Sequence, residues 1–187
     1  MAGTSDIRNG LVIRYNGELY KVIDFQHFKM GRGGAKVRTK MKSIPEGNVI
    51  EETFRPNDKF EDVRLEARRM QYLYNQGDTY FFMDTKTYEQ INLPDEICQE
   101  ASQFLKENEE IKILFDGMTP VDIKLPVKVD LEVEKAPPGV VGNTAQGGDK
   151  RVTLETGYKV KVPLFIEEGD IVRIDTRSGK YKERVNT

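Results

Sequence analysis

Residues 11–42 read LVIRYNGELYKVIDFQHFKMGRGGAKVRTKMK, and the alternation inside this stretch decides the fold. Two apolar runs flank Asn16-Gly17, a pair suited to the two positive-φ positions of a tight hairpin turn. Beyond Lys29 the chain passes Gly31, Arg32, Gly33 and Gly34 and then alternates again. Successive strand side chains point to opposite faces, so Ala35, Val37, Thr39 and Met41 share one face. Lys36, Arg38, Lys40 and Lys42 share the other. The pattern predicts a β-hairpin with Arg32 at a glycine-rich tip and a cationic stripe along its returning arm.

Outward from the hairpin the period of two persists. VIEETFR, TYFFMDTKTYEQINL, IKILFDGMTPVDIKLPVKVDLEV and RVTLETGYKVKVPLF read as strands, as does DIVRIDTRSGKYKER around a Ser178-Gly179 turn. LPDEICQEASQFLKENEE, residues 93–110, is the one helical pattern. Pro94, Asp95 and Glu96 suit its first turn, and Ile97, Ala101, Phe104 and Leu105 form an apolar stripe. Many short strands with frequent turn signals imply an all-β protein of small barrels or sandwiches. Soft boundaries fall near residues 65 and 128, giving segments 1–65, 66–128 and 129–187.

Charge divides along the same lines. The chain has net charge −2, yet residues 1–65 hold twelve Lys/Arg against nine Asp/Glu, a net +3. Residues 66–128 hold seven against twelve, a net −5, and residues 129–187 hold ten of each. Between Phe25 and Pro45 there are six basic residues and no acid. A polyanion would meet the first segment favourably and the second poorly.

Several classes of chemistry find no support. With one histidine, His27, and one cysteine, Cys98, neither a Cys-His nucleophile pair with spare partners nor a His-rich metal site is expected. GxxxxGK[ST] and GxSxG are both missing, and no carboxylate pair is singled out as acid and base. Cys98 reads as a small apolar packing residue and His27 as an ordinary strand position beside the basic stripe. A single cysteine allows no internal disulfide. MAGTSDIRNG lacks the apolar run of a secretory leader, and no stretch approaches about 18 apolar residues. The expected setting is the cytoplasm, with no enzyme activity, cofactor, metal or membrane.

The GRGG tip has two readings: a turn with a solvated arginine, or a fingertip that probes phosphate. Glycines allow close backbone approach, and the guanidinium fork fits phosphate oxygens two at a time. The stripe beside the tip favours RNA or DNA, since each cation that neutralises a phosphate adds salt-dependent affinity. The loop PPGVVGNTAQGGDK (137–150) and the terminal TRSGKYKER, with Tyr181 and Arg184, are further candidate contacts.

GNTAQGGDKRVTLETGYKVKVPLFIEEGDIVRIDTRSGKYKER, residues 142–184, resembles the C-terminal signature of the bacterial elongation factor P family. GLVIRYNGELYKVIDFQHFKMGRGGAKVRTKMK resembles that family's N-terminal domain with its projecting hairpin. The resemblance covers essentially the whole chain. It implies three β-barrel domains in an L-shaped, tRNA-like arrangement: a KOW/SH3-like domain over 1–65 and OB-folds over 66–128 and 129–187. It implies a monomer that binds both ribosomal subunits between the P and E sites and stimulates peptide-bond formation at stalled, proline-rich sequences. Lys29, Gly31, Arg32, Gly33, Lys36, Arg38, Lys40 and Lys42 would face peptidyl-tRNA in the P site. Gly142, Asn143 and Thr144 would face the codon in the E site, with Tyr181 and Arg184 also against RNA. Many members carry a modified lysine at the tip. Arg32 resembles a branch in which the tip arginine is rhamnosylated, whereas its flanking glycines resemble the lysine branch, so a rhamnosylating or other tip-modifying enzyme is an implied partner. Asn143 stands where the family commonly has aspartate. A KOW/OB protein that binds free RNA or single-stranded DNA away from the ribosome is the rival reading.

Overall fold

The computed structural model describes residues 2–29, 35–44, 46–138 and 148–185. Strands account for 60% of the chain and helix for 6%, in three sheets of which one is nearly barrel-shaped, so the all-β expectation holds. The chain forms two compact units, Met1–Arg68 with Ile113–Asp122 and Arg69–Lys112 with Ile123–Thr187.

The N-terminal sheet is built from β1 (Ala2–Gly3), β2 (Val12–Tyr15), β3 (Glu18–Lys29), β4 (Ala35–Ile44), β5 (Val49–Phe54) and β6 (Lys59–Asp62). Their spatial order is β1-β6-β2-β3-β4-β5. Asn16 (φ 52°) and Gly17 (φ 89°) both take positive φ between β2 and β3, the backbone of a type I′ hairpin turn. Alternation then sends Ile13, Tyr20, Val22, Val37 and Met41 inward, where they pack with Leu11, Phe54 and Phe60 in one core. Ile13, Val22 and Met41 are essentially sealed from solvent, each such burial contributing about 1.5–3 kcal/mol.

The second sheet contains β7 (Glu66–Gln76), β8 (Thr79–Asp84), β9 (Gln90–Pro94), β10 (Glu110–Asp116) and β11 (Thr119–Lys124), in the order β11-β10-β7-β8-β9. The third contains β12 (Lys128–Lys135), β13 (Asp149–Leu154), β14 (Lys159–Pro163), β15 (Ile171–Asp175) and β16 (Lys180–Val185), in the order β14-β13-β12-β15-β16. Its core, from Leu131 and Val133 through Leu154 and Val162 to Val172 and Ile174, also receives Phe104.

The segment 93–110 departs from the helix that its pattern predicts. Only Asp95–Cys98 is α-helical (α1), followed by a 3-10 turn at Ser102–Phe104. The amides of Ala101 and Phe104 bond the carbonyls three residues back, on Cys98 and Ala101. Cys98, Ala101, Phe104 and Leu105 are buried, the first three spaced three apart, while Ile97 is only half-buried. A 3-10 geometry stacks i and i+3 on one edge, so the tighter winding buries this trio better than a 3.6-residue turn would. Short helices have little stability of their own, and packing decides their form.

Candidate nucleic-acid interface

The long β3–β4 pair carries the candidate surface. Its register runs antiparallel from Leu19 opposite Ile44 to Lys29 opposite Ala35, with a bulge between Val22 and Asp24. A twelve-residue strand spans about 40 Å, long enough to carry its end well beyond a small core. Val37, Thr39, Met41 and Ser43 are buried, and Arg38 and Lys40 are exposed, as the alternation predicts. Lys36 and Lys42 lie half-buried on the same outer face. Arg32, with Gly31 and Gly33, lies outside the described residues, as do Gly142, Asn143 and Thr144. The backbone of Lys29 ends β3.

The register adds groups that the single-strand pattern does not show. Lys42 stands opposite Lys21, Lys40 opposite Asp24 and Glu51, and Lys36 opposite Phe28. Arg38 Nε meets Glu51 Oε1 at 3.0 Å, and its guanidinium lies 5.6 Å from the centre of the Phe28 ring. The stripe is therefore part of a wider patch. Lys21, Lys36, Arg38, Lys40 and Lys42 are set against Asp24 and Glu51, a surface still positive overall. Lys21 and Phe28 were not evident as members, because a residue's face depends on the bulge and on where the hairpin closes. His27 is exposed, and its ring meets Phe25 edge-on at 5.4 Å.

At the C-terminal end, Tyr181 and Arg184 both lie on β16. Tyr181 stands opposite Ile174 and packs part of its ring on the core, and burial pushes its phenol up from the usual value. Arg184 remains partly open, 3.6 Å from Asp170 Oδ2 and with its guanidinium 5.4 Å from the centre of the exposed Phe165 ring. The hairpin that presents them is tied down locally. The Asp175 carboxylate accepts from the Arg177 amide at 3.0 Å and pairs with Arg177 Nη2 at 3.1 Å. The Arg177 bond holds the Asp175 carboxyl down at about 2. Gly179 takes φ 65°, and Tyr158 Oη donates to its carbonyl at 2.9 Å; a Cβ on Gly179 would collide with Tyr158 Oη. A side chain there would displace the Tyr158 hydroxyl and strain the left-handed backbone.

A cleft of about 680 Å3 is lined in part by Tyr72, Tyr80, Ser102, Lys106, Glu155 and Tyr158. Its groups are mutually engaged: Lys106 pairs with Glu155 at 3.0 Å, and burial pushes Tyr72 up to about 12. Neither is poised to exchange a proton near neutral pH. Cys98 is sealed from solvent and pushed up to about 12, a packing thiol rather than a nucleophile. No cluster of three His, Cys, Asp or Glu suited to a metal occurs among the described residues.

Comparison with known proteins identifies the family. Residues 3–60 match the elongation factor P KOW-like domain, 65–123 the elongation factor P OB domain, and 129–184 the elongation factor P C-terminal domain. Elongation factor P of Moorella thermoacetica is 50% identical over 184 residues, covering 98% of this chain and 100% of that protein. Elongation factor P of Salinibacter ruber is 47% identical over 188 residues, covering 100% and 97%. Among solved structures, eukaryotic translation initiation factor 5A from Methanococcus jannaschii superposes with TM-score 0.57 at 25% identity, over 66% of this chain and 90% of that one. These relatives carry the names of translation factors, and a match of this identity along the full length places the chain in the elongation factor P family.

Proposed function

We propose that this translation factor binds the ribosome between the P and E sites and promotes peptide-bond formation at stalled proline-rich sequences. The observation that carries the reading is the cationic β3–β4 hairpin, whose outer face is positive in a protein of net charge −2. In this reading the hairpin extends Arg32 towards the CCA end of peptidyl-tRNA. No bond is made by the protein; fixing a poor, rigid proline substrate in a productive geometry lowers the barrier by pre-organisation. The three domains divide at 1–65, 66–128 and 129–187 and adopt a tRNA-like L as a monomer in the cytoplasm. Gly142, Asn143 and Thr144 approach the E-site codon, where Asn143 brings no charge, and Tyr181 and Arg184 approach RNA of the small subunit. A modifying enzyme acts on Arg32; a gain of one deoxyhexose on the peptide containing Arg32, from protein purified from its native cell, would identify rhamnosylation.

Co-sedimentation tests the reading. The chain should pellet with ribosomes carrying P-site peptidyl-tRNA at concentrations where isolated RNA and single-stranded DNA oligonucleotides bind far more weakly. Equal affinity for the oligonucleotides would instead make it a general RNA- or DNA-binding protein acting off the ribosome.

A further inference from the structure

We infer that Phe28 and Arg38 form a stacking shelf for an unpaired RNA base on the outer face of the hairpin. The inference rests on the RNA-binding reading above and assigns it a base-contacting residue, Phe28. Phe28 is 41% exposed although it is a large apolar side chain, and it belongs to no core cluster of the N-terminal sheet. Its place on β3, opposite Lys36, puts it on the cationic face, while its strand neighbour His27 stands opposite the buried Val37. The Arg38 guanidinium lies 5.6 Å from the ring centre and its Nε is anchored by Glu51 at 3.0 Å. The ring and the guanidinium are therefore held as a pair before any ligand arrives, on a strand fixed from below by Val37, Thr39 and Met41.

The surrounding charge selects the occupant. Lys21, Lys36, Arg38, Lys40 and Lys42 outnumber Asp24 and Glu51 on this face. An apolar protein partner would have to strip water from those cations with nothing to replace it. An acidic peptide would answer the charge and leave the ring unused. A nucleotide answers both, since its phosphate meets the cations and its base has a π-face for the ring and the guanidinium.

The test is equilibrium binding of the full chain and its F28A, F28L and F28W variants to purified ribosomes holding peptidyl-tRNA, across a salt series. Stacking of one base is worth on the order of tenfold in affinity. F28A and F28L should each weaken binding by about that factor without changing the dependence on salt, and F28W should bind at least as tightly as the parent. Because Phe28 lies outside the core, thermal melting of all four proteins should be alike, which separates lost stacking from lost folding. An F28L that binds like the parent or like F28W would overturn the shelf, since apolar area rather than a π-face would then suffice. If the parent itself bound with no dependence on salt, the RNA-binding reading would fail and the shelf with it.

Discussion

Asp175 shows how much of this surface depends on single contacts. Its side chain is 6% exposed, and its carboxylate takes the Arg177 amide and guanidinium and has Lys182 Nζ at 3.7 Å. With its folded pKa held down at about 2, below the ordinary value near 4, the group contributes stability that is fully present above pH about 4. That contribution is lost as pH falls towards 2. The melting temperature of the parent should therefore drop across pH 4 to 2 more steeply than that of D175N, which has no carboxylate to titrate there; parallel curves would mean that the Arg177 pair does not hold the turn. Nothing in DIVRIDTRSGKYKER marks Asp175 as buried, because the ion pairs form only once β15 and β16 close. Thr39 is similar. It reads simply as an inward strand residue, yet its Oγ1 is buried with no hydrogen-bond partner among the described residues.

At the scale of elements, the β2–β3–β4 meander was legible because two rules agree in it. Asn16-Gly17 specifies the turn and the period of two specifies the faces, so register follows. The short α1 was not legible: an apolar stripe at helical spacing cannot tell a 3.6-residue turn from a three-residue one, and Phe104 is claimed by the core of another sheet. The stripe on β4 was legible as cationic but not as partly countered, because Glu51 and Asp24 reach it from neighbouring strands. The register also ranks the cations. Lys36 has an aromatic residue opposite and no acid, whereas Arg38 has Glu51 and Lys40 has Asp24 and Glu51 beside it. Neutralising Lys36 should reduce the slope of log affinity for ribosomes against log salt by about 1, and neutralising Arg38 or Lys40 by less. Equal changes, or none, in filter-binding titrations would show that the neighbouring acids do not screen the stripe.

Over the whole molecule, charge sorts by segment, from +3 over residues 1–65 to −5 over 66–128 and 0 over 129–187. That division concentrates attraction for a polyanion at the hairpin end and withholds it from the middle, which suits one polar contact made in a fixed orientation better than a uniformly sticky surface. Fold class was readable because alternation runs through nearly every segment. The proposed tip is a different case: Arg32 and the 142–144 triplet lie outside the described residues, and their proposed roles rest on the partner they would face rather than on contacts within the chain. The central claim is that the hairpin positions peptidyl-tRNA by way of Arg32, and the rate of Pro-Pro bond formation tests it most directly. In a reconstituted translation system stalled on a Pro-Pro-Pro message, the parent chain should restore synthesis and R32A should lose most of that stimulation, while messages without proline runs are unaffected. Equal stimulation of the proline message by R32A and the parent would contradict the account.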